Sequence, residues 1–342
     1  MPADSQLRVF STFSFLTRGK EMASPNSNFT EIITTTLRGR SGALADNVSN
    51  GNALLMRLNR RGKRKAATGR DIVQELEYSE GTFSWYSGYE AINITPADVF
   101  SAASYEWKQC AAAVSASGLE VEVQNTGKEA VIDLLSARIG NAERTMKNQI
   151  NAGLYSDGTG NGGKEIGGLQ LLVADDPTAS SSPGGIDQST YTWWRNQAYD
   201  ATTDGGAAAD ATNIVDYMNT VWLTTVRGTD KPDLIMADNN YYGFYLGALQ
   251  NIQRITSTEM ADAGFTSLKY MDADVVFEDA AIAANHMYFL NTDYLFHRYS
   301  ANRNFTPLEQ VQSVNQDAHT QLIAWAGNLT CSNRSLQGVL KD

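Results

Sequence analysis

The sequence predicts an α+β fold organised around one long helix, and three observations carry that reading. From Thr126 to Tyr155 apolar residues recur three or four apart: Val131, Leu134, Leu135, Ile139, Ala142, Met146, Ile150, Leu154. That spacing marks a helix with one buried stripe. From residue 60 to 104 the chain turns rich in Tyr, Phe, Trp, Ile and Thr and alternates in places, which suits a β-ribbon. From 204 to 300 helical patterns and short apolar runs follow one another, as in a compact α/β unit.

The long helix is well specified. Thr126 and Glu129 have the spacing of a capping box, each side chain covering an orphan amide of the first turn. Lys128, Asp133, Arg138, Glu143, Arg144 and Lys147 occupy the other faces. About 30 residues would span roughly 45 Å, a strut suited to an elongated, plate-like subunit. Ser156-Asp157-Gly158 ends it, because a Gly-rich run cannot propagate a helix.

Composition bounds the rest. At 342 residues the chain has room for about two domains and a sizeable core. Its two cysteines, Cys110 and Cys331, make no metal pattern and suit a reducing compartment. No apolar run reaches the ~18 residues of a membrane span. Residues 1–21 read as a flexible arm, ordered weakly or dispensable, with a faint transit-peptide composition.

The net charge of −11 hides an asymmetry: residues 1–70 carry +8 and the remainder −19. The densest basic run is Arg57-Leu-Asn-Arg60-Arg61-Gly-Lys63-Arg64-Lys65. Three destinations suit it: nucleic acid phosphates, the acidic body of a neighbouring copy, or plain solvent.

In chain order, Phe29, Ile32, Ile33 and Leu37 have helical spacing, weakened by the β-branched Thr34-Thr35-Thr36. Leu44–Leu58 is a second helical stretch, interrupted at Ser49–Asn52. Within the ribbon, Phe83-Ser84-Trp85 and Ile92-Asn93-Ile94-Thr95 alternate, with turn signals at Ser79–Gly81 and Ser87-Gly88. This predicts a long twisted hairpin, too polar on both faces for a core, that lies on another surface. Ala111–Ser117 predicts a strand or helix edge. Nine glycines between Gly153 and Gly185 mark an irregular connection, with Ile166–Val173 its one apolar patch. Asp210 caps a helix carrying Ile214, Tyr217, Met218, Val221, Trp222 and Val226. Leu234–Ala237 reads as a buried strand, and Asp238 caps a helix with Tyr241, Tyr242, Phe244, Tyr245 and Leu249. Val275–Phe277, Met287–Leu290 and Gln321–Ala326 read as strands. The last has no partner nearby in sequence, so it pairs back to the long-helix domain and makes that domain discontinuous.

Catalytic patterns are missing. Gly158-Thr-Gly160-Asn-Gly-Gly163 matches a dinucleotide fingerprint but follows a helix rather than linking a strand to one. Gly158–Lys164 spells most of a phosphate loop, yet Glu165 stands where a magnesium-binding hydroxyl belongs. His286, His297 and His319 show no carboxylate or cysteine at metal or triad spacing. Asp175-Asp176 precede Pro177 and read as turn chemistry.

Longer strings point to a family. Phe29-Thr30-Glu31-Ile32, Thr35-Thr36-Leu37-Arg38, Gln74–Tyr78, Trp85-Tyr86-Ser87-Gly88-Tyr89-Glu90, Asn93-Ile94-Thr95-Pro96, Leu154–Gly160, Ile166–Gln170 and Val173–Pro177 together resemble major capsid proteins of tailed bacteriophages, whose shells use the Hong Kong phage (Johnson) fold. The resemblance covers about Ser24 to Asp342. It implies an N-terminal arm over 1–59 and an E-loop β-hairpin over 60–104. It further implies a P-domain over 105–203 and 301–342, with a spine helix at about 126–155, and an A-domain over 204–300.

The function so implied is a major capsid protein forming hexamers and pentamers of an icosahedral head around double-stranded DNA. Such a protein is assembled in the host bacterial cytoplasm and resides in the virion. It is not an enzyme and holds no cofactor or metal. Scaffold, portal and decoration proteins are the partners such a shell takes, with any scaffold supplied in trans. An encapsulin-like compartment shell is the alternative. Arg60, Arg61, Lys63, Arg64, Phe83, Trp85 and Tyr86 are the expected inter-subunit contacts. Some relatives carry a covalent lysine–asparagine link from the hairpin; no lysine lies between Lys65 and Lys108 here, so none is expected. The rivals are a nucleotide-dependent enzyme using Gly158–Lys164 and a DNA-binding protein using the basic N-terminal region.

Overall fold

The computed structural model describes residues 53–117, 134–249, 267–278, 282–308, 311–312 and 318–342. The helical stretches expected at Phe29–Leu37 and before residue 53, and the capping box at Thr126 and Glu129, lie outside the described residues.

Two six-stranded sheets and one two-stranded ribbon form the described protein. The strands of the first sheet are β1 (Arg64–Ala67), β4 (Lys108–Ser117), β10 (Leu295–Ser300), β11 (Thr306–Pro307), β12 (Val311–Gln312) and β13 (Ala318–Cys331). The centre is β13. It runs antiparallel to β4 from Ala318↔Ser117 to Gly327↔Lys108. Its last residues pair with β10, and β1 adds to β10 in parallel. The apolar run Ile323-Ala-Trp-Ala is buried without alternation, as a strand covered on both faces should be.

The helix α2 (Leu134–Gly153) lies on β4. Met146, Ile150 and, just past its end, Leu154 are buried at the predicted spacing. The helix is followed by the glycine-rich connection, which returns to the core through Ile166 and the short helix α3 (Leu169–Leu172). Gly168 is required there: a Cβ would sit 2.4 Å from the Leu154 carbonyl.

The second sheet has the order β5 (Gln197–Asp200), β14 (Gly338–Lys341), β9 (His286–Leu290), β6 (Leu234–Ala237), β8 (Ala273–Phe277), β7 (Ser267–Tyr270). Alternate residues divide it between two cores. Ile235, Ala237, Val275, Met287, Phe289 and Leu340 pack under α4 (Ile214–Thr225) and α5 (Asn239–Ala248). Leu234, Met236, Val276, Tyr288, Leu290 and Val339 face the core of the first sheet. Both faces are therefore dry, which is why β6 reads as an unbroken apolar run. Asp210 accepts from the amides of Thr212 and Asn213 as α4 begins. Asp238 caps α5 by accepting from Tyr241 N–H at 2.9 Å. Two strands of this sheet, β5 and β14, fall outside residues 204–300, while β10, inside them, belongs to the first sheet.

The ribbon differs from its sequence reading at both ends. Its ladder is β2 (Ile72–Glu77) against β3 (Phe100–Tyr105). Arg64–Ala67, expected in the hairpin, joins the first sheet instead, because β10 offers a free edge beside it. Beyond Tyr78, whose amide bonds Val99, no regular ladder continues to the tip. With water on both faces, a two-stranded ribbon is only marginally stable on its own.

Candidate inter-subunit surfaces

Every residue from 79 to 98 is exposed. Phe83 is 74% exposed, Trp85 90%, Tyr86 63% and Ile94 89%. Phe83 and Trp85 touch edge to face at 5.3 Å, and the backbone turns back at Ser87–Glu90. Thr82 Oγ1 donates to the Thr95 carbonyl, one of the few bonds between the two arms. Burying one such aromatic is worth about 1.5–3 kcal/mol. A ribbon that holds several in water is a candidate interaction surface.

The basic run divides. Arg57, on α1 (Ala53–Arg60), is buried and pairs with Asp233 at 3.1 Å and Asp274 at 3.4 Å. Arg61 bridges Asp233 and Asp293, and Lys63 meets Asp293 at 3.1 Å. Arg64 donates to Asn304 and lies over the Tyr299 ring. Arg60 stands at the exposed end of α1. Lys63, Lys65 and Arg298 all lie within 5.5 Å of the Phe296 ring centre. So acids of the same chain already face Arg57, Arg61 and Lys63, a use of the run that the sequence did not disclose.

The glycine turn closes on Glu165. Asn161 and Gly162 take left-handed backbone angles, and Glu165 Oε1 accepts from the Asn161 amide at 2.6 Å. Lys108 donates to the Gly163 carbonyl and pairs with Glu106. A cavity of about 340 Å³ adjoins this turn, lined by Cys110, Ile150, Lys164, Glu165 and Trp325 among others. Burial pushes the Cys110 thiol up, away from the thiolate a nucleophile needs. No metal-holding group of His, Cys, Asp and Glu is found among the described residues. Nor is any described helix long and apolar enough to cross a membrane.

The turn reading of Asp175-Asp176 holds for Asp176, while Asp175 meets a histidine instead. His286 does have a carboxylate: its Nε2 lies 3.0 Å from Asp175, from which it is separated by 111 residues. Spacing in sequence could not reveal it. Asp176 is the turn residue, accepting from Thr178. The hydroxyl and amide of Thr178 hold the Asp176 carboxyl below its usual range, and those of Thr159 and Ser189 do the same for Asp157 and Asp187.

No protein-family model matches the chain, and no curated protein matches it by sequence. Solved structures do match. The capsid asymmetric unit of cyanophage A-1(L) superposes with a TM-score of 0.72 at 17% identity, over 89% of this chain and 96% of that one. The capsid of an empty GTA particle gives 0.58 at 12% identity, over 88% and 94%. The holo encapsulin complex from Synechococcus elongatus gives 0.53 at 9%, over 92% and 95%. The chain has the phage capsid fold.

Proposed function

We propose that this chain is the major capsid protein of a tailed phage. Copies close through heterologous contacts into hexamers and pentamers of an icosahedral head that encloses double-stranded DNA. The observation that carries the reading is an exposed aromatic ribbon on a body with the phage capsid fold. In this reading residues 1–59 are the arm, 60–104 the E-loop, 105–203 and 301–342 the P-domain with α2 as its spine, and 204–300 the A-domain. The ribbon lies over the spine domain of the next copy and buries Phe83, Trp85 and Tyr86. Arg60, Arg61, Lys63 and Arg64 stand at the adjoining contact. The acidic body keeps the shell from clinging to its DNA. The protein assembles in the bacterial cytoplasm, acts in the virion and catalyses nothing; scaffold, portal and decoration proteins are its further partners.

An encapsulin-like compartment is the second reading, favoured by the shared fold of the encapsulin complex. Negative-stain microscopy of concentrated protein, with light scattering, tests both. Closed shells or rings of five and six support a shell. Monomers at every salt concentration, even with the co-expressed scaffold, refute it. DNA inside the shells recovered from the native source favours the head, and an enclosed enzyme favours the compartment.

A further inference from the structure

Both strands of the ribbon rest on one short stretch at and just past the end of the glycine-rich connection. At the end of β2, Tyr78 stacks on Trp193, with ring centres 5.1 Å apart and planes 23° apart. On the other strand, Ala103 and Tyr105 lie against Gly184 so closely that a Cβ there would sit 2.8 Å from Ala103 Cβ. Gly184 also has a φ of +69°, which a side chain would strain.

This footing is braced from within. Trp194 donates its indole N–H to the Pro183 carbonyl at 2.9 Å, closing the stretch on itself. Trp193 meets Trp194 edge to face at 5.7 Å. Arg195 donates to the carbonyls of Gln188 and Ser189. Arg334, fully buried, donates to the Trp194 carbonyl and the Gln188 side chain. The free part of the ribbon has no such bracing: Thr82 to Thr95 and Ser87 to Glu90 are its principal bonds. The ribbon is firm at its foot and compliant beyond it.

We propose that residues 183–194 form a pedestal that fixes the direction in which the ribbon leaves the body, with Trp193 as the positioning residue. The Tyr78–Trp193 stack is the removable half of this seat. Trp193 is only partly buried, so replacing it loosens the ribbon and leaves the two sheets intact. Only the assembly consequence rests on the shell reading; the seat itself does not.

The test uses the full chain, unassembled, with backbone hydrogen exchange followed residue by residue. Trp193→Leu is expected to raise exchange of the β2–β3 amides, and of the Tyr78 amide just past β2, by up to about tenfold, the reach of one aromatic pair. Amides of β13 and β9 keep their protection, and Trp193→Phe restores the ribbon. Tyr78→Leu, which alters the ribbon side, gives the same pattern and covers a Trp193 variant that folds poorly. Ribbon exchange unchanged in both folded variants overturns the pedestal, as does an equal rise across all strands. If ribbon exchange rises while shells still close normally, the pedestal stands and the role given to the ribbon in assembly falls.

Discussion

His297 stacks flat on Trp325, ring centres 5.7 Å apart and planes 9° apart, and none of their three ring nitrogens has a hydrogen-bond partner. Both rings are buried, at 1% exposure each. Burial, helped by the charge of Arg64, pushes the imidazole down to about 4. His297 is therefore neutral in the folded protein and takes up its proton more readily unfolded. Stability from this site is full above pH 6.5 and is lost as pH falls toward 4. The loss is on the order of 3 kcal/mol. Thermal unfolding from pH 7 to 4 should show a steeper fall for the parent chain than for His297→Phe.

His286 runs the other way. Its Nδ1 lies 2.7 Å from the Ala284 carbonyl and its Nε2 3.0 Å from Asp175. Both neighbours only accept, so the site suits the imidazolium, which donates twice. Burial pulls the ring down, but the bonds to Asp175 and Ala284 outweigh it and hold the ring above its ordinary value, against the Lys341 ammonium on the paired strand. Asp200 in turn pairs with Lys341 at 3.3 Å. The contribution is present below pH 6.5 and is lost as pH rises through the folded value. His286→Gln should remove that alkaline decline, read as the difference in Tm between pH 5.5 and 8.5; an unchanged decline would sink the assignment.

Local chemistry made some elements legible and left their partners hidden. Leu234–Ala237 announced a strand because four apolar residues follow Pro232 and precede a helix-capping Asp238. Met146, Ile150 and Leu154 announced a buried stripe by spacing alone. Nothing near Ala318–Cys331 names β4, about 200 residues earlier, as its neighbour. The pairing of Asp175 with His286 and of Arg57 with Asp233 likewise joins groups remote in sequence. Arg334 sits in Ser332-Asn333-Arg334-Ser335, a string with every local mark of a solvated turn. In the ribbon the error ran the opposite way. The alternation of Phe83-Ser84-Trp85 promised a ladder, but neither face of this segment is covered and no regular ladder forms there.

Arg57 joins α1 to the second sheet and should be hard to replace. Arg57→Met leaves the part-buried carboxylate of Asp233 and the buried one of Asp274 without that cation, a loss of about 3–5 kcal/mol. Arg61, Thr292 N–H and Thr292 Oγ1 still serve Asp233, so Asp274, 4% exposed, bears most of it. Asp274→Asn in the Arg57→Met background should recover about 0.5–3 kcal/mol of coupling, measured by urea denaturation of the four proteins of the cycle.

Arg334 is buried among neutral oxygens. It donates to the carbonyls of Leu171, Leu172 and Trp194 and to the side chains of Gln188 and Asn196. Burial pulls its guanidinium down to about 10, still charged at neutral pH. Arg334→Met strands four acceptors, each costing about 1–3 kcal/mol if it stays dry, while Asn196 Oδ1 keeps the Ala174 N–H. Arg334→Lys should rescue little, because an ammonium cannot span a planar fork of acceptors. Both variants should lose most of their soluble yield or unfold many degrees lower; parent-like melting for Arg334→Lys would count against the fork.

The ribbon aromatics should behave oppositely, mattering for assembly and not for the fold. Phe83, Trp85 and Tyr86 are more than half exposed, so Ser at all three removes almost no burial from the isolated chain. Melting should stay within the scatter of surface substitutions, about 0.5 kcal/mol. In a shell each would fill a contact on the next copy, and central aromatic anchors cost 2 kcal/mol or more when truncated. The triple variant should therefore stay folded and fail to form rings or shells by microscopy and light scattering. Replacing Arg60, Arg61, Lys63 and Arg64 by Gln should weaken assembly less and flatten its salt dependence, since Asp293 already engages Arg61 and Lys63 at exposed pairs worth about 0–1 kcal/mol. A folded triple variant that assembles like the parent would show that the exposed aromatics serve some other partner.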